Sequence, residues 1–554
     1  MTCLTFAPDE LVLLKICKTS LEVHPSLNQL PRTAMTTRVL VRPSRRQEVA
    51  LICGNTRRFL AVPSAVLTPP FAITRKTILR KCGISMVLAV LCLGASGLQV
   101  AAQTHSISNP GFTTLLGFDA TNGGNPEAGL IQATDGNFYG TTSTGGANGE
   151  GSVFKITPSG ALTTLYSFCS QSACSDGAGP VAGLIQATDG NLYGTTETGT
   201  VFKITLGGTL TTLGGTGGQD PVAALVQGTD GNFYGTTARG GANTRCELRS
   251  GYFVSCGTVF KITPAGAATT LASFSPATGF GPSSPLIQAT DGNFYGTALE
   301  GSGTAHPGYG TVFKVTPSGT LTVLHAFDAT DGEKSLAALV QGADGNFYGT
   351  TSFGGAASGF GGTVFKITPG GTLTTLHNFD GSDGSGSGAA LIQGTDGNFY
   401  GTTSGDEYNN LGTVFEITPS GTLTTLHNFE GTDGQEPFST LLQATNGTFY
   451  GTTSIGASSD CSEGCGTIFS VAVGLGPFVE TQTDSGAVGA AVKILGTNLT
   501  GATSVTFNGK TAVFKVASSA EITTTVPAGA TTGKVKVVTP GGTLSSNVSF
   551  AVVP

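Results

Sequence analysis

The chain has 554 residues and a formal net charge of −7; glycine supplies 84 residues, charged side chains only 11%, and tryptophan none. So much glycine without a Gly-X-Y period excludes collagen, and recurrent threonine with few charges favours strands over helices. Length alone would allow about three or four domains, unless a repeat merges several hundred residues into one.

Residues 1–74 carry no period and read as an upstream extension, disordered or a mis-start. Arg75, Lys76, Arg80 and Lys81 then precede the apolar run ISMVLAVLCLGASGLQVAA. A charged start, an apolar centre and small residues at the end predict a secretory signal over 75–102, cleaved after Ala102. A transmembrane anchor is the alternative, but Gly and Ser interrupt the run. Cys92 follows Leu91, where a lipoprotein signal carries a small residue. Losing residues 1–102 removes 13 of 27 Lys/Arg and 4 of 34 Asp/Glu, leaving 14 against 30 and a net charge of −16. Such a chain is a poor partner for nucleic acid, and no membrane span is expected after cleavage.

Six cysteines remain, in three local pairs: Cys169 with Cys174, Cys246 with Cys256, and Cys461 with Cys465. Near-neighbour pairs in an exported chain predict disulfides. Zinc is the competitor, but no His lies near any pair and no CxxC occurs.

From residue 103 a repeat takes over. DGNFYGTT at Asp135 returns, with small changes, at Asp189, Asp230, Asp291, Asp344, Asp396 and Asn446. Each unit holds four strand-like runs, which we letter A to D. In 389–429 they are ALIQ, FYGTT, TVFEIT and TLTTLHNF, with TDGN between A and B and PSG between C and D. Asp-Gly and Pro-Ser-Gly suit tight hairpin turns. Four short strands per unit predict propeller blades rather than solenoid rungs. The seventh unit lacks strand D, while FTTLLGF at 112–118 is an orphan D strand ahead of the first. Joining the two closes a ring and removes two sheet edges. The fold class expected is therefore all-β: a seven-bladed β-propeller over 103–474, its N-terminal strand closing the last blade. Residues 475–554 change texture to short alternating strands and predict a small immunoglobulin-like β-sandwich.

The array DGNFYGTT…GTVFKITPSGTLTTLHNF resembles the GloVer tandem repeats of bacterial choice-of-anchor proteins. Gly496-Thr497-Asn498-Leu499 and Val526-Pro527-Ala528-Gly529 make the C-terminal segment similar to IPT/TIG domains. The resemblance implies a secreted or surface-displayed bacterial protein and carries no catalytic residues with it. The chain ends at Val553-Pro554 without an apolar tail or basic stop, which leaves a covalent or membrane anchor unsupported.

Strand order puts the short AB and CD turns on one rim and the BC and DA connections on the other. The BC and DA loops vary in length, and all three cysteine pairs fall in them, so binding is expected there. Candidate ligand-binding residues are Arg245, Arg249, Tyr252, His306, Tyr309, Asp406, Glu407 and Tyr408. The DA carboxylates Asp328, Asp331, Asp380, Asp383, Glu430 and Asp433 could ring a Ca²⁺ ion. Equally, they could simply make Asx turns. His306 is the one loop histidine that could serve catalysis; His325, His377 and His427 repeat in strand D, as packing residues do. The function expected is non-catalytic binding of an extracellular ligand, a glycan or envelope component, without a resident cofactor. An extracellular lyase or hydrolase acting on a polysaccharide is the alternative.

Overall fold

A computed structural model describes residues 49–50, 61–62 and 111–553, except 249–251, 302–307, 356–360, 406–410, 457–460 and 462–463. The predicted extension and export signal lie outside the described residues, apart from Val49–Ala50, which pairs antiparallel with Ala61–Val62.

The remainder is β-structure throughout, with a 3₁₀ turn at Ser172–Cys174 and no α-helix among the described residues. Seven four-stranded antiparallel sheets follow one another. Blade 1 comprises Ile131–Gln132, Phe138–Thr142, Ser152–Ile156 and Leu162–Ser167, in the order A to D. The orphan strand Gly111–Gly117 pairs with Thr467–Ala472, so it supplies strand D of blade 7 as expected.

Each letter of the repeat has a physical task. In blade 1, Asp135 Oδ1 accepts the Asn137 N–H at 3.1 Å. Its Oδ2 accepts from Asn137 Nδ2, Tyr139 Oη and Lys155 Nζ at 2.8, 2.8 and 3.0 Å. Burial works to raise this carboxyl, but the donors outweigh it and hold it below its usual range. Gly136 takes φ +82°, the left-handed turn position open to glycine. Gly140 makes room for a ring: a Cβ there would stand 2.6 Å from the Phe154 side chain. Thr141 Oγ1 donates across to Ala182 O of the next blade at 2.9 Å, and Thr142 Oγ1 meets Ser152 Oγ of its own blade at 2.8 Å.

The core is divided into seven clusters, one per blade interface. Within them the Tyr of one blade meets the Phe of the next, as Tyr193–Phe233 at 4.2 Å, Tyr234–Phe294 at 4.0 Å and Tyr450–Phe138 at 4.3 Å. A second ring is polar. The strand-A glutamine of each blade accepts a backbone N–H from the preceding AB turn: Thr134 to Gln186, Thr188 to Gln227, and so round to Thr445 to Gln132 at 2.9 Å. That last bond joins residues 313 apart and closes the circle.

Residues 479–553 form one continuous sheet curled as a half-barrel around Val479, Ile494, Phe507, Ile522 and Val537, all at most 1% exposed. It docks on the AB rim. Gln482 Nε2 donates to Ala187 O of blade 2 at 2.6 Å, and Asn547 Nδ2 to Gln393 O of blade 6 at 3.0 Å. Thr497 Oγ1 meets Thr445 Oγ1 of blade 7 at 2.8 Å, and Phe478 N donates to Thr445 O. Blades 2 and 6 lie almost opposite each other on the ring, so the C-terminal module spans the propeller axis.

Candidate functional site

With the AB rim covered, the variable rim is the open end of the ring. Its DA loops are self-contained. His325, His377 and His427 at the ends of their D strands bond through Nε2 to Asp331, Asp383 and Asp433 at 2.7, 2.7 and 2.8 Å. In blade 1 Tyr166 Oη donates to Asp176 in the same way at 2.7 Å. The pair ties each loop back to its strand, which gives the repeated histidine a structural role. Asp328 Oδ1 accepts from Thr330 N, Thr330 Oγ1 and Asp331 N, and Asp380 Oδ1 from Ser382 N and Oγ. These bonds, led by the hydroxyl donors, lower both carboxyls. Asp433 Oδ1 accepts the N–H of the exposed Glu430. The six carboxylates considered for Ca²⁺ are thus distributed among loop-local turns. Among the described residues no three His, Cys, Asp or Glu side chains are grouped to hold a metal ion.

Of the ligand-binding candidates, Arg249, His306, Asp406, Glu407 and Tyr408 lie outside the described residues. Tyr309 is half-buried against the cluster between blades 4 and 5. Arg245 and Tyr252 come together in one device. Cys246–Glu247 and Phe253–Val254 form a small hairpin within the blade-3 BC loop, closed by the Cys246–Cys256 disulfide. Both cysteines are fully buried in the cluster between blades 3 and 4, so the base is rigidly seated. Beyond that base Tyr252 is 74% and Phe253 53% exposed, with the Arg245 guanidinium 5.0 Å from the Phe253 ring centre. The Cys169–Cys174 and Cys461–Cys465 pairs are also bonded.

Sequence reading missed a second feature. The segments leading into the seven A strands line an axial channel of about 330 Å³ that opens on the variable rim. Val181, Val222, Leu336 and Phe438 stand at its mouth, with Glu127 beside them. Ser143 Oγ donates to Glu127 Oε1 at 2.8 Å. The signal was present as a variable column in an otherwise constant strand: the residue three before the invariant leucine is Glu127, Val181, Val222, Ser283, Leu336, Gly388 and Phe438 in turn.

At the other end of the axis, Leu442 borders both this channel and a crevice of about 90 Å³ beneath the C-terminal module. Glu480 faces that crevice with Asp484. Glu480 keeps surface open to the crevice, yet protein surrounds it, and burial followed by the Asp484 charge pushes its carboxyl up to about 7.

Fold and site together define a seven-bladed propeller with one rim capped and one displayed. The chain belongs to the Gloeobacter/Verrucomicrobia repeat family, whose model matches residues 103–244, 197–393, 243–469 and 358–535. A comparison with curated proteins finds no match. Among solved structures, a streptogramin B lyase is similar at 14% identity and TM-score 0.44, over 65% of this chain and 96% of that one. Virginiamycin B lyase from Staphylococcus aureus follows at 14% and 0.45, over 65% and 99%. A gluconolactonase from Xanthomonas campestris aligns at 14% and 0.33, over 52% and 84%. At these identities the likeness is one of propeller fold alone.

Proposed function

We propose that this is an exported, non-catalytic binding propeller that engages an extracellular ligand, a glycan or envelope component, through its BC/DA rim. The observation that carries the reading is the asymmetry of the rims: one is covered by the C-terminal module, while the other displays the stapled hairpin with Tyr252, Phe253 and Arg245. Exposed aromatic rings beside a guanidinium, held on a fully buried disulfide, suit recognition at low entropic cost. The three disulfides suit an oxidising compartment and hence export. The C-terminal half-barrel is read as an IPT/TIG-type, immunoglobulin-like module acting as spacer or second contact. The alternative of a polysaccharide-degrading enzyme rests on His306, and nothing among the described residues favours it. The test is a screen of residues 103–554 against glycan arrays and bacterial envelope fractions, with and without Ca²⁺. Binding that falls at least tenfold in a Tyr252→Ala/Phe253→Ala double variant is the expected result, tenfold being about 1.4 kcal/mol. Absence of any ligand, or indifference to that variant, overturns the reading.

A further inference from the structure

We propose that the mouth of the axial channel binds a small amphiphilic cation, an alkyl or aryl group carrying a protonated amine. This rests on the reading of the BC/DA rim as the binding face and adds the chemistry of its centre. The wall at the mouth is apolar: Val181, Val222 and Leu336 are half-buried, and Phe438 is 41% exposed. Covering such a surface is favourable by roughly 25 cal/mol per Å² of apolar area. The rest of the lining includes the small residues Gly129, Gly183, Ala224 and Ala390. Ser283, Ser439 and Thr440 interrupt this lining, so the apolar part of a ligand is placed against Val181, Val222, Leu336 and Phe438.

Charge selects the rest of the ligand. Among the described residues Glu127 is the one ionisable group in the lining, an exposed carboxylate steadied at the mouth by Ser143. The field around it has the same sign. The strand-C lysines sit at the opposite rim, where Lys155 and Lys261 bond Asp135 and Asp230 at 3.0 and 2.8 Å. On the open rim, by contrast, the described cations are Arg239, Arg245 and Lys334, and Arg239 already faces Asp220 at 3.3 Å. A cation is drawn to such a surface and an anion repelled. The C-terminal module closes the far end, so entry is from this rim.

The test is calorimetric titration of residues 103–554 with n-octylammonium, n-octanol and octanoate, each below its aggregation concentration. Octylammonium is expected to bind at one site, with octanoate at least about tenfold weaker. Val222→Trp should fill the mouth and abolish octylammonium binding. Glu127→Gln should lower octylammonium affinity about three- to tenfold and remove its advantage over octanol. Thermal melts confirm that each variant folds; if Val222→Trp does not, Phe438→Ala, which strips a wall, must weaken all three probes together. Equal binding of octanoate, no saturable octylammonium binding, or indifference to both wall variants overturns the proposal. A glycan or envelope ligand lost in Tyr252→Ala/Phe253→Ala but retained in Val222→Trp would leave the rim reading standing and remove the channel.

Discussion

The two rims of the propeller are built from the same repeats and have opposite characters. At the AB rim the side chains are committed: each aspartate takes several donors, each glutamine bridges to its neighbour blade, and the C-terminal module lies across the end. At the BC/DA rim the repeated acidic side chains mostly close their own loops, as in His377–Asp383, and aromatic surface is left open. The difference teaches where sequence can vary. A residue bonded to the next blade is constrained by the whole ring, whereas a loop closed on itself constrains only its own blade.

Matched substitutions would break this comparison or sharpen it. Asp230→Ala removes the acceptor for Asn232, Lys261 and the buried Tyr234 hydroxyl at once. We expect a loss of about 2–4 kcal/mol in denaturant unfolding, since a buried donor is left unpaired. Asp380→Ala on the open rim removes only an exposed turn and should cost about 0.5–1 kcal/mol. Equal losses would refute the division of labour between the rims.

A smaller effect should appear with pH. Because the Glu480 carboxyl is raised from 4.5 to about 7 in the docked module, it favours docking while protonated. That contribution is complete below pH 4.5 and is lost as pH rises through about 7. Proteolytic release of the module should therefore quicken between pH 5 and 7.5, about the span of the shift. Glu480→Gln should flatten the profile; an unchanged profile in that variant would show that another group controls docking.

The smallest change concerns blade 6, where Glu416 replaces the lysine. Burial and then the Asp396 charge raise the Glu416 carboxyl, and Asn398 Nδ2 bridges to it. Glu416→Lys should restore the ion pair seen in blades 1 and 3 and stabilise the fold by roughly 0.5–1 kcal/mol. A lower melting temperature would contradict this.

Much of the blade was legible in the residues. The four strand-like runs, the Asp-Gly turns between them and the missing seventh D strand implied strand number, strand order and ring closure, because each depends on neighbours within one unit or on a simple count. The turn reading of Asp328 and Asp380 was legible too, since an Asx turn is local. The His–Asp ties were not: His325 and Asp331 are six residues apart, but the loop between them must double back before they meet. Tyr252 was picked out and Phe253 was not, because loop sequence does not say that both adjacent rings stay exposed.

By itself, the sequence determined a closed ring of seven four-stranded blades followed by a smaller strand-rich segment. Tertiary structure alone decided which rim is left open and that the axis forms a channel. The module docks by donating from Gln482 and Asn547 to the backbone carbonyls of Ala187 and Gln393. Carbonyls are present at every residue and leave no signature in the sequence. The channel is likewise a property of the assembled ring, since residues from seven distant segments meet only when Thr445 reaches Gln132.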